Sequence, residues 1–206
     1  MDTLKTGTTT IGLVAKDAIV LCADKRATAG SLIADKRVTK IIPINERLVV
    51  TIAGVVSDIQ LFTKYLKAEL KLKDLKTGTQ TSVKAAANLL SGFNYSGLRG
   101  QGSIAHYLLA GTDAAGVHLY EVSFDGAVMA ISDYEVTGSG SVFAMGALEA
   151  NYKKGLSEPE AIALAKQAVT AAIERDTGSG NGYDIYVVNK TGVHHKETVL
   201  LKSVAQ

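Results

Sequence analysis

The sequence predicts an α+β fold in which two antiparallel sheets pack face to face and helices cover both outer faces. Two observations lead to this prediction. The elements implied by hydrophobic periodicity run in the order strands, two helices, strands, two helices, strands. No strand–helix–strand unit repeats along the chain, which argues against a doubly wound parallel sheet. The 206 residues contain no evident repeat or linker, so one domain is predicted.

Short apolar and β-branched runs predict strands in the first third of the chain. Two β-branched runs, 8–16 and 18–25, are separated by Lys16-Asp17, which is typical of a hairpin. Shorter strands are predicted within 27–44. The apolar run 46–54 then predicts another strand, which ends on a glycine.

Residues 57–76 change to helical periodicity, and Ser57 or Asp58 can cap this helix. One apolar stripe contains Ile59, Phe62, Leu66 and Leu70. A second stripe contains Leu61, Tyr65, Ala68, Leu72 and Leu75. One stripe can pack on a sheet, so the other indicates contact with a neighbouring helix or another subunit. A second helix is predicted at about 81–96.

The second half repeats the pattern of strands, then helices, then strands. A Gly-Ser loop at 138–141 precedes one helix, and a capping box at Ser157 to Glu160 opens another that runs to about Arg175. The loop 176–182 follows this helix. The predicted strands are 104–113, 116–123, 127–136, 183–190 and 193–201.

Composition excludes several classes of protein. The apolar fraction is 47%, which argues against disorder, and the net charge of +2 gives no indication of nucleic-acid binding. The single cysteine, Cys22, lies in an apolar run and predicts a core residue in a reducing, cytoplasmic compartment. No run of about 18 apolar residues predicts a membrane span, and the first residues lack the apolar region of a secretory signal.

The histidines and the glycine-rich loops give weak signals for chemistry. His106, His118 and His194-His195 match no zinc spacing, so neither a metal nor another cofactor is predicted. A Ser-His-Asp triad stays open, although the chain has no GxSxG elbow. The loops 138–141 and 176–182 lack the lysine of a phosphate-binding loop, which favours a turn-forming role over nucleotide binding.

The threonine run that begins at Thr8 offers a more specific possibility. Cleavage between Gly7 and Thr8 would give Thr8 a free α-amine beside its own hydroxyl. An amine with an ordinary pKa of about 7.7–8.0 can act as the general base for that hydroxyl. The alternative is that the threonines only begin a strand, where this residue type is common.

Six features, taken in order and spacing, resemble the β subunits of the 20S proteasome, of the archaeal single-type kind. They are GTTTIG at 7–12, ADKRAT at 23–28, Lys40, TIAG at 51–54, TGSGS at 137–141 and RDTGSG at 175–180. The resemblance covers essentially the whole chain. It implies the N-terminal nucleophile hydrolase fold, a four-layer αββα sandwich. It also implies a propeptide, 1–7, which is removed autocatalytically from a single catalytic domain, 8–206.

The resemblance assigns a catalytic lysine to Lys40 and its acidic partner to Asp24. The lysine would depress the pKa of the Thr8 hydroxyl and amine, and the carboxylate would hold the lysine charged and oriented. From the residue types alone, an ordinary salt bridge at strand ends is the favoured interpretation of this pair. Gly54 matches the glycine whose backbone N–H serves the oxyanion hole.

The same resemblance gives both glycine-rich loops a positioning role. Ser139, Asp176 and Ser179 match the residues that hydrogen-bond the threonine amine and position its proton shuttle. Thr28 matches a position that binds the substrate backbone as an added strand. The side-chain pocket of the family corresponds to Ala27, Val38, Ile42, Ile52 and Val56. These residues are all apolar, so we predict chymotrypsin-like cleavage after large apolar residues.

The function implied is that of a threonine endopeptidase which degrades unfolded polypeptides. The implied partners are other β subunits in a seven-membered ring stacked on a second β ring, α-subunit rings, and a regulatory ATPase that acts through the α ring. Neither nucleic acid nor a membrane is expected as a partner. Three alternatives stay open: a β subunit that assembles without cutting, a nucleotide-binding protein, and the related bacterial peptidase with six-membered rings.

Overall fold

The computed structural model describes residues 7–101 and 104–201. In chain order the strands are β1 (Thr10–Val14), β2 (Ala18–Asp24), β3 (Ala27–Ala29), β4 (Leu32–Asp35), β5 (Ile41–Pro43), β6 (Leu48–Gly54), β7 (Ala105–Asp113), β8 (Gly116–Val122), β9 (Val128–Ile131), β10 (Tyr134–Thr137), β11 (Gly182–Asn189) and β12 (Gly192–Leu200). The helices are α1 (Val56–Thr77), α2 (Val83–Gln101), α3 (Ser141–Asn151) and α4 (Glu158–Arg175). The leader residues 1–6 of the predicted propeptide lie outside the described residues, as do residues 202–206.

The strands form two five-stranded sheets and one small hairpin. The first sheet has the order β10-β1-β2-β11-β12, and the second has the order β5-β6-β7-β8-β9. Every neighbouring pair is antiparallel. The short strands β3 and β4 form a separate two-stranded hairpin.

Three apolar clusters account for the layers. One lies between the first sheet and helices α3 and α4, and another lies between the second sheet and helices α1 and α2. The third cluster lies between the sheets, and it includes Leu21 of β2, Val49 of β6 and Leu108 of β7. The prediction of a four-layer αββα sandwich of two antiparallel sheets is confirmed.

The position of strand β2 between two packed layers explains its continuously apolar sequence. Its side chains are buried on both faces, so the run is continuously apolar instead of alternating. Leu21 faces the second sheet, whereas Val20 and Cys22 face α4. Burial raises the pKa of the Cys22 thiol well above its ordinary value, which makes this side chain an inert core residue.

Helix α1 differs from the prediction at its first residue. The backbone N–H of Val55 donates to the Ile104 carbonyl, so the pairing of β6 with β7 continues up to the residue before the helix. The helix therefore begins at Val56, with Val55 as its N-cap and without a side-chain cap. The expectation that Ser57 or Asp58 caps the helix was wrong, because both lie in its first turn.

The two stripes of α1 lie in different environments. Ile59, Leu66 and Leu70 are buried against the second sheet and α2. The second stripe stays exposed, and Leu75 keeps 73% of its accessible surface. No helix among the described residues has the length and apolar character needed to cross a membrane.

The predicted strand 127–136 is two strands in two sheets. Strand β9 pairs with β8 in the second sheet, whereas β10 pairs with β1 in the first. The chain crosses between them at Ser132-Asp133, where the Asp133 carbonyl accepts a hydrogen bond from Val14 N at 2.7 Å. The local pattern is continuous across this crossing, so the change of sheet is a tertiary effect. The capping box from Ser157 to Glu160 is present at the start of α4, as predicted.

Candidate functional site

Thr8 lies at the entrance to β1, between the two glycine-rich loops. Its backbone carbonyl accepts a hydrogen bond from Gly140 N at 3.2 Å, and the residue is only 6% exposed. The Thr8 Oγ1 hydroxyl donates to the Gly7 carbonyl oxygen at 2.6 Å. The hydroxyl therefore lies directly beside the peptide bond that the sequence predicts is cut.

The Lys40 ammonium reaches the same carbonyl from the other side of the site. Its Nζ donates to the Gly7 oxygen at 3.2 Å and to Asp24 Oδ1 at 2.7 Å. Lys40 and Asp24 are almost completely buried. The Gly7 oxygen thus accepts from a hydroxyl and from an ammonium, which is an arrangement suited to stabilise negative charge on that oxygen.

Backbone groups hold the Asp24 carboxylate in place. Oδ1 accepts from Thr9 N at 2.9 Å, while Oδ2 accepts from Arg26 N at 3.0 Å and from Gly180 N at 2.9 Å. A buried charge needs such partners, because its loss of hydration is otherwise costly. Burial lowers the pKa of the Lys40 ammonium from its ordinary value of 10.5, and the Asp24 carboxylate offsets only part of that effect.

A second chain of hydrogen bonds begins at the Thr8 backbone nitrogen. Thr8 N donates to Ser139 Oγ at 3.1 Å, and Ser139 Oγ donates to Asp176 Oδ2 at 2.6 Å. Ser179 Oγ donates to the same carboxylate oxygen at 2.6 Å. The Thr9 hydroxyl lies 2.6 Å from Ser179 Oγ. After cleavage, the nitrogen that now contacts Ser139 would be the α-amine of Thr8.

Two glycines permit the close backbone contacts at this site. Gly138 has φ of +96°, and a Cβ there would lie 2.1 Å from the Thr8 carbonyl oxygen. Gly54 has φ of +133°, and a Cβ there would lie 2.3 Å from the Ile104 carbonyl oxygen. A side chain at either position would displace backbone, so both glycines are required sterically.

Arg26 holds the loop that carries Asp176 and Ser179. Its Nε donates to Asn181 Oδ1 at 2.8 Å, and its NH1 donates to the Thr177 carbonyl at 2.9 Å. The guanidinium also lies against Gly180, where a Cβ would come within 2.4 Å of it. Sequence reasoning did not assign Arg26 or Thr9 to the site, although both lie within motifs that carried the resemblance.

An apolar pocket of about 160 Å³ opens beside Thr8. Four of the five predicted pocket residues line it: Ala27, Val38, Ile52 and Val56. Ile42 does not line it and packs instead against the cluster beneath α1 and α2. Ala34 and Ile59 supply further apolar surface, and Gly54, Lys40 and Arg26 also line the wall.

Thr28 connects the β3–β4 hairpin to the residue before the predicted cut. Its Oγ1 accepts a hydrogen bond from Gly7 N at 2.9 Å. A second, larger cleft of about 500 Å³ continues past Gly7 and is lined by Ser139, Gly178 and Ile33 among others. The backbone of Gly7 is therefore held from the hairpin side.

The histidines take no part in this arrangement. His106 pairs with Glu121 at 2.6 Å and His118 with Asp113 at 3.2 Å, while His194 and His195 contact threonine hydroxyls. No group of three or more histidine, cysteine or carboxylate side chains suited to a metal ion occurs among the described residues.

Comparison with known proteins agrees with the geometry. A family model described as a proteasome subunit matches residues 4–188. The proteasome subunit beta of Methanosphaerula palustris is 43% identical over 189 residues, which cover 92% of this chain and 89% of the relative. That of Nanoarchaeum equitans is 39% identical over 186 residues, which cover 90% and 95% respectively. Proteasome subunit beta 2 of Ignicoccus hospitalis is 43% identical over 187 residues, which cover 91% and 87%.

Proposed function

Because the chain belongs to the proteasome subunit family and is a β-type subunit of the core particle, we propose that it is a threonine endopeptidase with Thr8 as its nucleophile. One observation carries the proposal: the Thr8 hydroxyl and the Lys40 ammonium both donate to the carbonyl oxygen of Gly7. A residue that only begins a strand has no need of a buried cation at the preceding carbonyl.

The first reaction of the site is cleavage of its own chain. Thr8 Oγ attacks the Gly7 carbonyl carbon, and the negative charge that develops on the oxygen is stabilised by the Lys40 ammonium. The C–N bond then breaks as the Thr8 nitrogen takes up the proton that Oγ has released, and the Gly7 acyl group is held as an ester on Oγ. Water hydrolyses this ester, which releases residues 1–7 with a free Gly7 carboxylate.

Mature Thr8 would then attack other polypeptides in the same way. Its α-amine accepts the hydroxyl proton as Oγ attacks the substrate carbonyl, and then gives that proton to the substrate nitrogen as the C–N bond breaks and the first product leaves as an amine. The substrate acyl group stays on Oγ as an ester, which water later hydrolyses to a carboxylate. Ser139 contacts this nitrogen at 3.1 Å and connects it to Asp176, so the loops orient the base. Gly54 lines the pocket beside Thr8, where its backbone N–H would serve the oxyanion hole.

The intact mass of the assembled particle tests this proposal. Loss of residues 1–7, together with one adduct from a threonine-directed electrophile, is the expected result. Thr8→Ala should retain the full chain and hydrolyse nothing, whereas Thr8→Ser should retain some cleavage. A wild-type chain that keeps Met1 after assembly with its α partner and hydrolyses no peptide would refute the enzyme and favour a subunit that only assembles.

The apolar pocket supports a chymotrypsin-like preference. Its aliphatic lining would leave an acidic side chain poorly solvated, while Leu, Tyr or Phe would gain about 1.5–3 kcal/mol from burial. The cations in the wall are already engaged, Lys40 by Asp24 and Arg26 by the 176–182 loop. A panel of fluorogenic peptides decides the matter: faster cleavage after Glu than after Leu or Tyr would refute this preference.

The chain assembles into a multi-subunit proteasome, and the arrangement of rings is part of the proposal. We expect seven-membered β rings stacked on each other, with α rings outside that receive unfolded substrates from a regulatory ATPase. The exposed stripe on α1 supports a subunit contact on that face. Native mass spectrometry distinguishes seven-membered from six-membered rings, and a nucleotide-binding assay on the isolated chain tests the remaining alternative.

A further inference from the structure

We propose that the Thr9 hydroxyl is a positioning group for catalysis: it donates to Ser179 and so fixes the direction of the hydrogen bonds that converge on Asp176. Through that carboxylate and Ser139, it sets how readily the α-amine of Thr8 gives up its proton. This inference rests on the proposed function, because it concerns the base of the mature enzyme. It gives Thr9 a role distinct from that of the first strand residues.

The proton order follows from a count of donors. Ser139 Oγ and Ser179 Oγ both lie 2.6 Å from Asp176 Oδ2, and an ionised carboxylate can only accept. Each serine hydroxyl has one proton. Ser139 Oγ also lies 3.4 Å from the Thr8 carbonyl oxygen, but the carboxylate at 2.6 Å is the stronger acceptor, so both serine protons point at Asp176. The 2.6 Å contact between Thr9 Oγ1 and Ser179 Oγ must then be a donation from Thr9.

Burial makes this donation consequential. Thr9 and Ser179 are 0% exposed, so no solvent molecule in the bulk replaces the Thr9 proton if the hydroxyl is removed. The Thr9 backbone N–H also donates to Asp24 Oδ1 at 2.9 Å. One residue therefore contacts the Lys40–Asp24 pair through its backbone and the Ser179–Asp176 chain through its side chain.

The sign of the effect follows from the charge on Asp176. Without the Thr9 donor, Ser179 is free to turn away, and the Asp176 carboxylate keeps more of its negative charge for Ser139. A more strongly polarised Ser139 oxygen stabilises the ammonium form of the Thr8 amine that it contacts. The amine would then stay protonated to a higher pH and act less well as a base.

The experiment compares Thr9→Val with Thr10→Val in the assembled particle. Both substitutions remove a fully buried hydroxyl and keep the branched shape. Among the described residues, however, Thr10 Oγ1 hydrogen-bonds to Thr51 and Thr137, at 2.9 Å and 2.7 Å, and not to the Ser179–Asp176 chain. The pH dependence of kcat/KM is measured on a peptide substrate, per site titrated with the electrophile. The intact mass confirms that each variant has lost its leader.

The expected result is that the acid limb of the profile moves up by about half a pH unit in Thr9→Val, an activity loss of about threefold on that limb. Thr10→Val should leave the acid limb at its wild-type position, and so should Thr9→Ser, which keeps the hydroxyl. In a Ser179→Ala background, Thr9→Val should cause no further shift, because the two groups act in series. If Thr9→Val does not assemble, Thr9→Ala against Thr10→Ala carries the same comparison.

Equal profiles for the Thr9 and Thr10 variants would overturn this inference while leaving the proposed function intact. So would an equal shift in the presence and absence of the Ser179 hydroxyl. An inactive wild type that retains its leader would refute the proposed function instead, and the two failures are therefore distinguishable.

Discussion

Replacing Asp24 with asparagine should stop the cleavage at Gly7–Thr8 and destabilise the folded chain. The carboxylate accepts from Lys40 Nζ on Oδ1 and from the Arg26 and Gly180 backbone nitrogens on Oδ2. An asparagine amide has only one accepting oxygen. Its NH₂ group would therefore take the place of Oδ1 or Oδ2 and face N–H donors that now have an acceptor there. The Lys40 charge would also lose its buried counter-ion.

The two consequences have different magnitudes. Breaking a buried ion pair by removing one partner costs about 3–5 kcal/mol of folding free energy. Losing the group that holds Lys40 at the Gly7 oxygen removes stabilisation of the developing oxyanion, which typically lowers a rate by about 10²-fold or more. Removing the Asp24 charge also removes the effect that opposes the lowered pKa of Lys40, so the ammonium population falls further.

Asp184→Asn is the matched control. Asp184 pairs with Lys25 at 2.6 Å, and those two side chains are nearly as buried as the Lys40–Asp24 pair. In the described structure the Asp184 carboxylate hydrogen-bonds Lys25 and Thr198, not Gly7 or Thr8. Urea unfolding is compared in a Thr8→Ala background, where every chain keeps its leader, and leader removal is followed by intact mass in the active background.

Both variants should lose stability, and only Asp24→Asn should retain its leader. If Asp24→Asn removes its leader at the wild-type rate while it loses stability like the control, the Lys40–Asp24 pair is an ordinary structural ion pair. That outcome would refute the catalytic assignment of both residues.

Three further predictions concern the pocket, the helix and the lysine. Ala27→Leu should fill much of the 160 Å³ pocket and lower kcat/KM for peptides with Tyr before the cut roughly tenfold, measured against peptides with Ala there. Leu75→Glu, on a side chain 73% exposed, should change the folding free energy by less than about 0.5 kcal/mol but reduce assembly, as seen by denaturation and native mass spectrometry. The lowered pKa of Lys40 means that the folded chain binds fewer protons than the unfolded chain between that pKa and 10.5. Stability relative to Lys40→Met, in the Thr8→Ala background, should therefore rise with pH across that window, and a flat difference would contradict the direction of the shift.

The sequence predicts the architecture well because both sheets use local patterns that the structure keeps. The hairpin around Lys16-Asp17 and the capping box at Ser157 depend on residues that are close along the chain. The split of 127–136 into β9 and β10 was missed, because only pairing with β1 reveals it. The same holds at the candidate site, where contacts between residues that are distant along the chain could not be predicted from local patterns.

Sequence patterns alone could not show that Thr8, Asp24 and Lys40 lie together, because these residues are distant along the chain and come into contact only in the folded structure. Predicting that they form one site required the resemblance. Ile42 packs against the cluster beneath α1 and α2, and the sequence pattern of an edge strand does not tell which of its faces borders the pocket. Thr9 escaped notice for a related reason. Its partners Asp24 and Ser179 are 15 and 170 residues away, and threonine at a strand start is common.

Under the proposed mechanism, the Thr8 nitrogen has different roles before and after cleavage of the Gly7–Thr8 bond. Before cleavage, the Thr8 nitrogen belongs to a peptide, donates its proton to Ser139, and has no basic lone pair. Lys40 contacts the same carbonyl oxygen as the Thr8 hydroxyl, where its ammonium would stabilise the negative charge that develops on that oxygen. After cleavage the α-amine would become available, and its ordinary pKa of about 7.7–8.0 would suit it to accept the Thr8 hydroxyl proton. The Ser139–Asp176–Ser179 chain has no base to orient in the precursor, so it would acquire its proposed catalytic role only once the leader is gone, whereas Lys40 would act in both reactions.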